Sequence, residues 1–331
     1  MTDVAVVAFA ETAGGAESTT SGVEMLVPAI RTALESAGLD RRDIGFWCSG
    51  SSDYLAGKAF SFVQAVDAIG AVPPIMESHV EMDGAWALYE AWVKILTGEA
   101  DTALVYGFGK GTAGDLRRVL ALQLDPYLVA PLWPDAVGVA ALQARLGIEA
   151  GLWSEKDMAE VAAARLGRSP ADLLTQAYVA DPLRAHDCAP YTDGASVVIL
   201  ASDSRARELC ERPAWITGIT HRIDSGSFGA RDLLSVPSVD PVAGSLDVAE
   251  LHAPFSHQEI LLRGALSLPP GTQVNPSGGV LGRGNPMFAS GLARLGWAAR
   301  SVLTGNARCA LGHATSGPCL QQNLVCLLEA R

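Results

Sequence analysis

An α/β fold built from two similar halves is what this sequence predicts, and three observations carry it. From residue 4 to residue 106, short apolar runs alternate with stretches of helical length. That alternation is the signature of a layered α/β body with a mainly parallel sheet. The segment Ile95-Leu-Thr-Gly-Glu-Ala-Asp-Thr-Ala-Leu104 returns as Val302-Leu-Thr-Gly-Asn-Ala-Arg-Cys-Ala-Leu311, and the same offset sets Gly84 on Gly291. A register kept through a loop, a helix and a strand marks two copies of one unit. The third observation is the glycine-rich stretch Asn275-Pro-Ser-Gly-Gly-Val-Leu-Gly-Arg-Gly-Asn-Pro-Met-Phe-Ala-Ser-Gly291, which feeds the second copy's helix. Such backbone tolerates positive φ, and at a helix start it aims free N–H groups at whatever binds there. In the shared register 78–83 matches 285–290, so two related loops are expected to face one site.

Residues 4–9 are wholly apolar and read as a buried strand. A Gly/Ser/Thr-rich loop over 11–20 leads to an amphipathic helix at 21–37, with Ser21 near its cap, Leu26, Ile30 and Leu34 on its apolar face and Gly38 at its stop. A turn at 41–43 precedes a strand at 44–48. Helix 60–69, strand 73–80 and helix 84–96 follow, the last apolar on most faces and so expected inside. The strand at 102–106 runs into a connector, 107–114, where Lys110 is followed by Gly and Thr, so the G-x-x-x-x-G-K phosphate-binding frame fails. Residues 115–190 are the least regular, with helices at 137–146 and 154–166, the second with Ser154 as N-cap and Asp157 in its first turn. A strand at 196–201 closes the first half, 1–205. The second half, 206–331, opens with a strand at 214–219, then a polar loop over 221–245 placed above a ligand, and a strand at 247–251 that ends at His252. Ser256 and Glu259 predict a capping box for a helix at 256–266. The repeat's buried helix (292–303), a strand (309–312), a turn (313–318) and a last strand (323–329) complete the chain.

With 331 residues, 49% of them hydrophobic and 18% charged, the chain can bury a large core. A net charge of -12 argues against nucleic-acid partners and against an electrostatic grip on anionic membranes. It leaves room for an anionic thioester, because a local patch can differ from the total. No apolar run is long enough to span a bilayer. The six cysteines, at 48, 188, 210, 309, 319 and 326, include no C-x-x-C pair, so neither zinc nor a redox dithiol is expected. Without a signal peptide, a reduced cytoplasmic protein is the expectation.

Asn275-Pro-Ser-Gly-Gly279 followed by Gly284-Asn-Pro286 resembles the thiolase superfamily, in the branch of the sterol carrier protein X thiolases and the bacterial lipid-transfer-protein-like thiolases, which read NPSGG and then GHP. Asp181-Pro-Leu-Arg184 with Asp193-Gly-Ala-Ser-Val-Val-Ile-Leu-Ala-Ser202 is similar to that branch's DPL…DGAAAVVLAS, and Glu250-Leu-His-Ala-Pro-Phe255 to its E-x-H-D-x-F. The likeness runs in order along nearly the whole chain. It implies the thiolase fold, two pseudo-symmetric halves in a five-layer α/β/α/β/α arrangement, with a shortened loop region at about 108–190 over the acyl-CoA site. It also implies an oligomer.

The departures carry the functional reading. A thiolase places a nucleophilic cysteine before the first buried helix, as C-A-S-G, where a helix N-terminus lowers a thiol pKa. This chain reads Glu81-Met-Asp-Gly84; the cysteine's place falls at or within one residue of Glu81, and no cysteine lies within thirty residues of it. Thiolysis and Claisen condensation through sulfur are therefore excluded. Asn285 replaces the histidine of GHP and can donate one hydrogen bond to an enolate oxygen without carrying charge. His252 is retained, and His313 matches the family's ALxH, while Pro318 departs from its Gly pair. The catalytic candidates are thus His252, His313, Asp83 and Asn285, and the substrate-binding candidates Gly278, Gly279, Gly284, Gly317 and His257. No metal or separate cofactor is expected; coenzyme A enters with the substrate. Blander readings stand beside these: Asp83 favours helix capping, His257 reads as an exposed first-turn residue, Cys319 as core, and Asn285 as a turn former. One thiolase-like subgroup, the lipid-transfer-protein-like aldolases of steroid side-chain breakdown, cleaves β-hydroxyacyl-CoA by a retro-aldol reaction without a cysteine. Its tyrosines have no counterpart here, since no tyrosine follows Tyr191. The resemblance therefore implies either such a lyase or a non-catalytic subunit. The subunit would pair with an active thiolase-like homologue or an OB-fold/zinc-ribbon protein; the lyase would act as a homodimer or hetero-oligomer on an acyl-CoA thioester.

Overall fold

The computed structural model describes residues 3–16, 20–53, 60–70, 72, 74–122, 124–127, 129–132 and 134–331. In the first half, β1 (Val4–Gly15) leads to α1 (Leu26–Ala37), then β2 (Phe46–Gly50), α2 (Ser61–Ile69), β3 (Glu77–Val80), α3 (Gly84–Leu96) and β4 (Thr102–Lys110). A cover segment follows, with α4 (Ala136–Glu149) and α5 (Glu155–Leu166), before β5 (Asp193–Ser202) returns to the sheet. The second half repeats the plan with β6 (Ala214–Ile223), β7 (Val248–Glu250), α6 (Ser256–Ala265), β8 (Gln273–Val274), α7 (Ser290–Leu303), β9 (Cys309–Ser316) and β10 (Gln322–Glu329).

The ten strands form one sheet in the order β8-β7-β9-β10-β6-β1-β5-β4-β2-β3. Read outward from its middle, each half gives the same sequence of partners, so β1 corresponds to β6, β4 to β9 and β5 to β10. The two halves join where β1 meets β6, Ala5 opposite Trp215 and Val6 opposite Ala214. The expectation of a mainly parallel sheet is corrected. Strands are parallel only at the two ends, where α2 and α3 or their counterparts provide the crossover. They are antiparallel through the middle, because β5 and β10 return without a helix of that kind.

The repeat's two helices are the inner layer. On α3, Ala85, Trp86, Ala87, Leu88, Ala91 and Ile95 are buried, and on α7 Leu292, Leu295, Ala298, Ala299 and Val302 join the same core. A helix apolar all round has nowhere else to go. The cover segment packs on the second half, with Val137, Ala140, Trp153 and Met158 against Leu246, Leu251, Leu261 and Leu262.

Several boundaries are corrected. β1 extends through residues expected to be loop, as far as Gly15. The helix expected at 21–37 begins at Leu26; Ser21 does accept from Glu24 N–H and its own N–H bonds the Glu24 carboxylate, but this box closes a turn before the helix. Residues 107–110 are strand rather than connector. A Cβ on Gly109 would stand 1.9 Å from the Met287 carbonyl oxygen, and one on Gly107 2.3 Å from that of Phe288. The glycines are there so that the second half's loop can lie against β4. The capping box at Ser256 does not form: the Ser256 hydroxyl donates to buried Asp187 at 2.6 Å, and Glu259 turns to Arg165 and Asn275. The turn expected at 313–318 is strand as far as Ser316. Of the loop expected at 221–245, residues 221–223 continue β6, and the rest lies on the cover segment, with Gln143 donating to the Leu233 carbonyl; none of it lines the cavity described next. Within the expected strand at 73–80, residue 73 lies outside the described residues.

Candidate active site

The two repeated loops meet, as their register predicts. Gly84 N–H donates to the Phe288 carbonyl at 2.9 Å, and between them opens a cavity of about 490 Å³. Glu81, Met82 and Asp83 line it from one loop, Asn285, Met287 and Phe288 from the other. His252 enters from the end of β7, Thr315 and Gly317 from the end of β9, and Ala136 and Val139 from the cover segment. A deep, mostly apolar cleft with a few convergent polar groups is the usual form of a small-molecule site.

His252 is buried, and burial, then the neighbouring His313 and Arg294, push its pKa down to about 3. The ring is therefore neutral at physiological pH. Thr315 N–H donates to Nδ1 at 3.4 Å, so Nε2 carries the hydrogen, with the Asn285 side chain as its polar neighbour. Asn285 lies beside this ring, with the Ser290 hydroxyl 2.7 Å from its amide oxygen. Holding the oxygen leaves the NH₂ as the side of Asn285 to offer. Together the two residues present neutral N–H donors, a combination suited to an oxygen that gains negative charge.

Asp83 is at the cavity edge but fully engaged. It caps α3 by accepting from Ala85 N–H at 2.9 Å, and it reaches across the pseudo-twofold to accept from Gly291 N–H at 2.9 Å and Leu292 N–H at 2.8 Å, the start of α7. One carboxylate thus satisfies free amides of two helices. Burial pushes its pKa up, and the three amides oppose that shift.

His313 does not line the cavity. Its Nε2 bonds Asn323 Oδ1 at 2.9 Å, and burial lowers its pKa to about 4. His257, expected at the surface, is wholly buried between Trp153 and Phe255, with Nε2 3.1 Å from Gln143 Oε1 and a pKa lowered to about 3 by burial. It is a core residue behind the cavity wall, next to the lining residues Phe255 and Gln258 but not lining the cavity itself, and its first-turn position gave no sign of the cover segment that packs on it. Gly278, Gly279 and Gly284 likewise do not line the large cavity; Gly284 borders a crevice of about 20 Å³. Gly317 does line it, within a turn whose Cys319 and Leu320 sit at φ 54° and 57°. Arg231 holds this turn by donating to the carbonyls of Pro318 (2.6 Å) and Cys319 (3.2 Å). Burial pushes the Cys319 thiol up to about 12, so it stays protonated.

The glycine-rich loop has a fastening role. Asn275 accepts from Leu251 N–H at 2.6 Å and donates to Glu259 at 2.7 Å, while the Ser277 hydroxyl donates to Glu250 at 2.7 Å. Glu250 also pairs with Arg294 of α7 at 2.8 Å, both buried. These bonds hold β7, and with it His252, against the loop that carries Asn285.

Sequence reasoning passed over the surroundings of Glu81. His79 Nε2 lies 3.3 Å from Glu81 Oε2, and Asp53 N–H donates to Oε1 at 2.8 Å. The signal was the spacing: residues 79 and 81, two apart on an extended segment, share a face. Among the described residues, Asp53, His79 and Glu81 are the group whose donor atoms, within 4.8 Å of one another, could hold a cation.

No protein-family model matches the chain. It is 25% identical to the acetyl-CoA acetyltransferase of Methanothermobacter thermautotrophicus, over 89% of this chain and 89% of the relative. Human mitochondrial 3-ketoacyl-CoA thiolase in complex with CoA superposes with a TM-score of 0.79 at 16% identity, covering 100% of this chain and 98% of the other. The Ltp2-ChsH2(DUF35) aldolase superposes with a TM-score of 0.77 at 17% identity, covering 99% and 98%. The chain has the thiolase fold. Homologues and structural neighbours together support the thiolase superfamily; among the described residues Cys319 is the one thiol that lines the cavity. Among the described residues no helix is long and apolar enough to cross a membrane.

Proposed function

We propose that this chain is an acyl-CoA carbon–carbon lyase, alone or as a subunit, cleaving a β-hydroxyacyl-CoA by a retro-aldol reaction in steroid or lipid side-chain breakdown. The observation that carries it is the pairing of neutral His252 with Asn285 in a cavity whose described lining offers no ionisable thiol. Retro-aldol cleavage needs donors for the thioester enolate and a base for the β-hydroxyl, and no covalent intermediate. The aldolase neighbour shares the fold, and the CoA complex of the human thiolase supports a CoA thioester as ligand. The substrate brings the CoA, and no further cofactor is assigned. His252→Ala is expected to lower kcat about 100-fold, the usual loss for one oxyanion donor, with thermal stability followed alongside; an unchanged kcat would remove His252 from the reaction.

A second reading is favoured by two observations. The neighbouring aldolase is named as an assembly of two components, and this chain has no tyrosine in its second half. On that reading it is a non-catalytic subunit beside a thiolase-like or OB-fold/zinc-ribbon partner. Affinity purification from the native host, followed by thioester-cleavage assays of the lone chain and of the complex, separates the two: turnover by the lone chain supports the lyase, and turnover by the complex that ignores His252→Ala supports the subunit.

A further inference from the structure

We propose that Glu81 is the base of this cavity and that His79 is its positioning residue. The inference rests on the lyase reading. Five titratable side chains line the described cavity: Glu81, Asp83, Tyr191, His252 and Cys319. Asp83 has its carboxylate taken up by three amides. His252 is neutral, with Nδ1 facing an amide. Burial keeps the Tyr191 hydroxyl and the Cys319 thiol protonated. Glu81 alone of the five keeps an accessible acceptor, with 51% of its side chain open.

That carboxylate is held from behind. Asp53 N–H donates to Oε1, and His79 stands against Oε2. His79 is itself fixed twice, by Ser49 Oγ 2.9 Å from Nδ1 and by Phe62 stacked on its ring at 4.8 Å and 16°. Behind Ser49, which is buried, the Tyr106 hydroxyl completes a line of hydrogen bonds into the sheet. A base oriented by a second group, itself oriented by a third, is the arrangement proton-transfer sites share.

In the step assigned, Glu81 accepts the proton of the substrate's β-hydroxyl. The O–H electrons form the carbonyl at Cβ as the Cα–Cβ bond breaks, and that bond's pair passes to the thioester as an enolate facing His252 and Asn285. The ketone or aldehyde leaves, and the proton held by Glu81 returns to Cα. Atoms and charge balance with no oxidant, reductant or co-reactant.

The test assays the full chain, and the complex it forms in its host, on β-hydroxyacyl-CoA thioesters from 3-hydroxy-3-methylbutanoyl-CoA to ring-bearing acyl groups. Glu81→Gln, which still accepts from Asp53 N–H, is expected to lower kcat about 100-fold with KM little changed, and Glu81→Asp to recover part of it. His79→Ala is expected to lower kcat with KM little changed, and His79→Gln, which can still donate to Oε2 of Glu81, to recover part of it, whereas a merely structural histidine would lower the yield of folded protein and leave the kcat of the folded fraction in place. Wild-type cleavage with Glu81→Gln at the wild-type rate overturns the base assignment and leaves the lyase reading standing. Activity lost to a chelator and restored by Zn²⁺ also overturns it, making Asp53, His79 and Glu81 metal ligands. Wild type inactive on every thioester, alone and in complex, removes the lyase reading and this inference with it.

Discussion

Acidification from pH 7 to pH 5 is expected to cost the fold about 6 kcal/mol, some 2 kcal/mol from each of three buried histidines. His252, His257 and His313 are buried, and burial holds them neutral, with pKa values of about 3, 3 and 4. In the unfolded chain each returns to about 6.5. The folded values are depressed, so below that point the unfolded state binds more protons and stability rises with pH. The contribution is complete above about pH 7 and falls away below pH 6.5. It goes on falling until the folded rings themselves take protons near pH 3 to 4. The size at pH 5 is insensitive to the folded values, since all three lie below it. Urea midpoints at pH 7.5 and pH 5 measure the loss, and His257→Gln should remove about a third of the difference, whatever it does to stability at one pH. A midpoint flat across this range would mean that the rings charge inside the fold.

Asp83→Ala is expected to destabilise the protein by about 4 kcal/mol. Three amide N–H groups, of Ala85, Gly291 and Leu292, would lose their acceptor in a buried place, at about 1 to 3 kcal/mol each, less the relief of no longer burying a carboxylate. Against a typical total of about 5 to 15 kcal/mol this is a large share. Asp83→Asn keeps one acceptor oxygen and is expected to cost about half as much. Chemical denaturation of the two variants checks the ratio, and equal losses would show that the charge, rather than the number of acceptors, holds the helices.

The architecture was legible where a pattern had one physical meaning. α3 matches its expected bounds because Asp83 caps it and apolar residues surround it, and the internal repeat foretold both the sheet's symmetry and the meeting of the two loops. The motif likeness pointed to the thiolase fold. Misreadings came where the deciding neighbour was remote in sequence. Gly107 and Gly109 look like a flexible connector until the Met287 and Phe288 carbonyls are laid against them. His257 looks exposed until the cover segment lands on it. Ser256 and Glu259 make a convincing box until Asp187 and Arg165 claim them. In the cavity, His252 and Asn285 were named through the motif likeness. The tautomer of the one and the orientation of the other depend on Thr315 and Ser290, which spacing does not reveal.

The bonds made by Asn275 and Ser277 separate two kinds of inheritance. These side chains clamp β7 and α7 together through Glu250, Glu259 and Arg294 and leave the cavity to others. Asn-Pro-Ser-Gly-Gly thereby serves as chassis, and the side chains that line the cavity can vary without loosening the body. The pentapeptide is a badge of ancestry, and it is silent on trade.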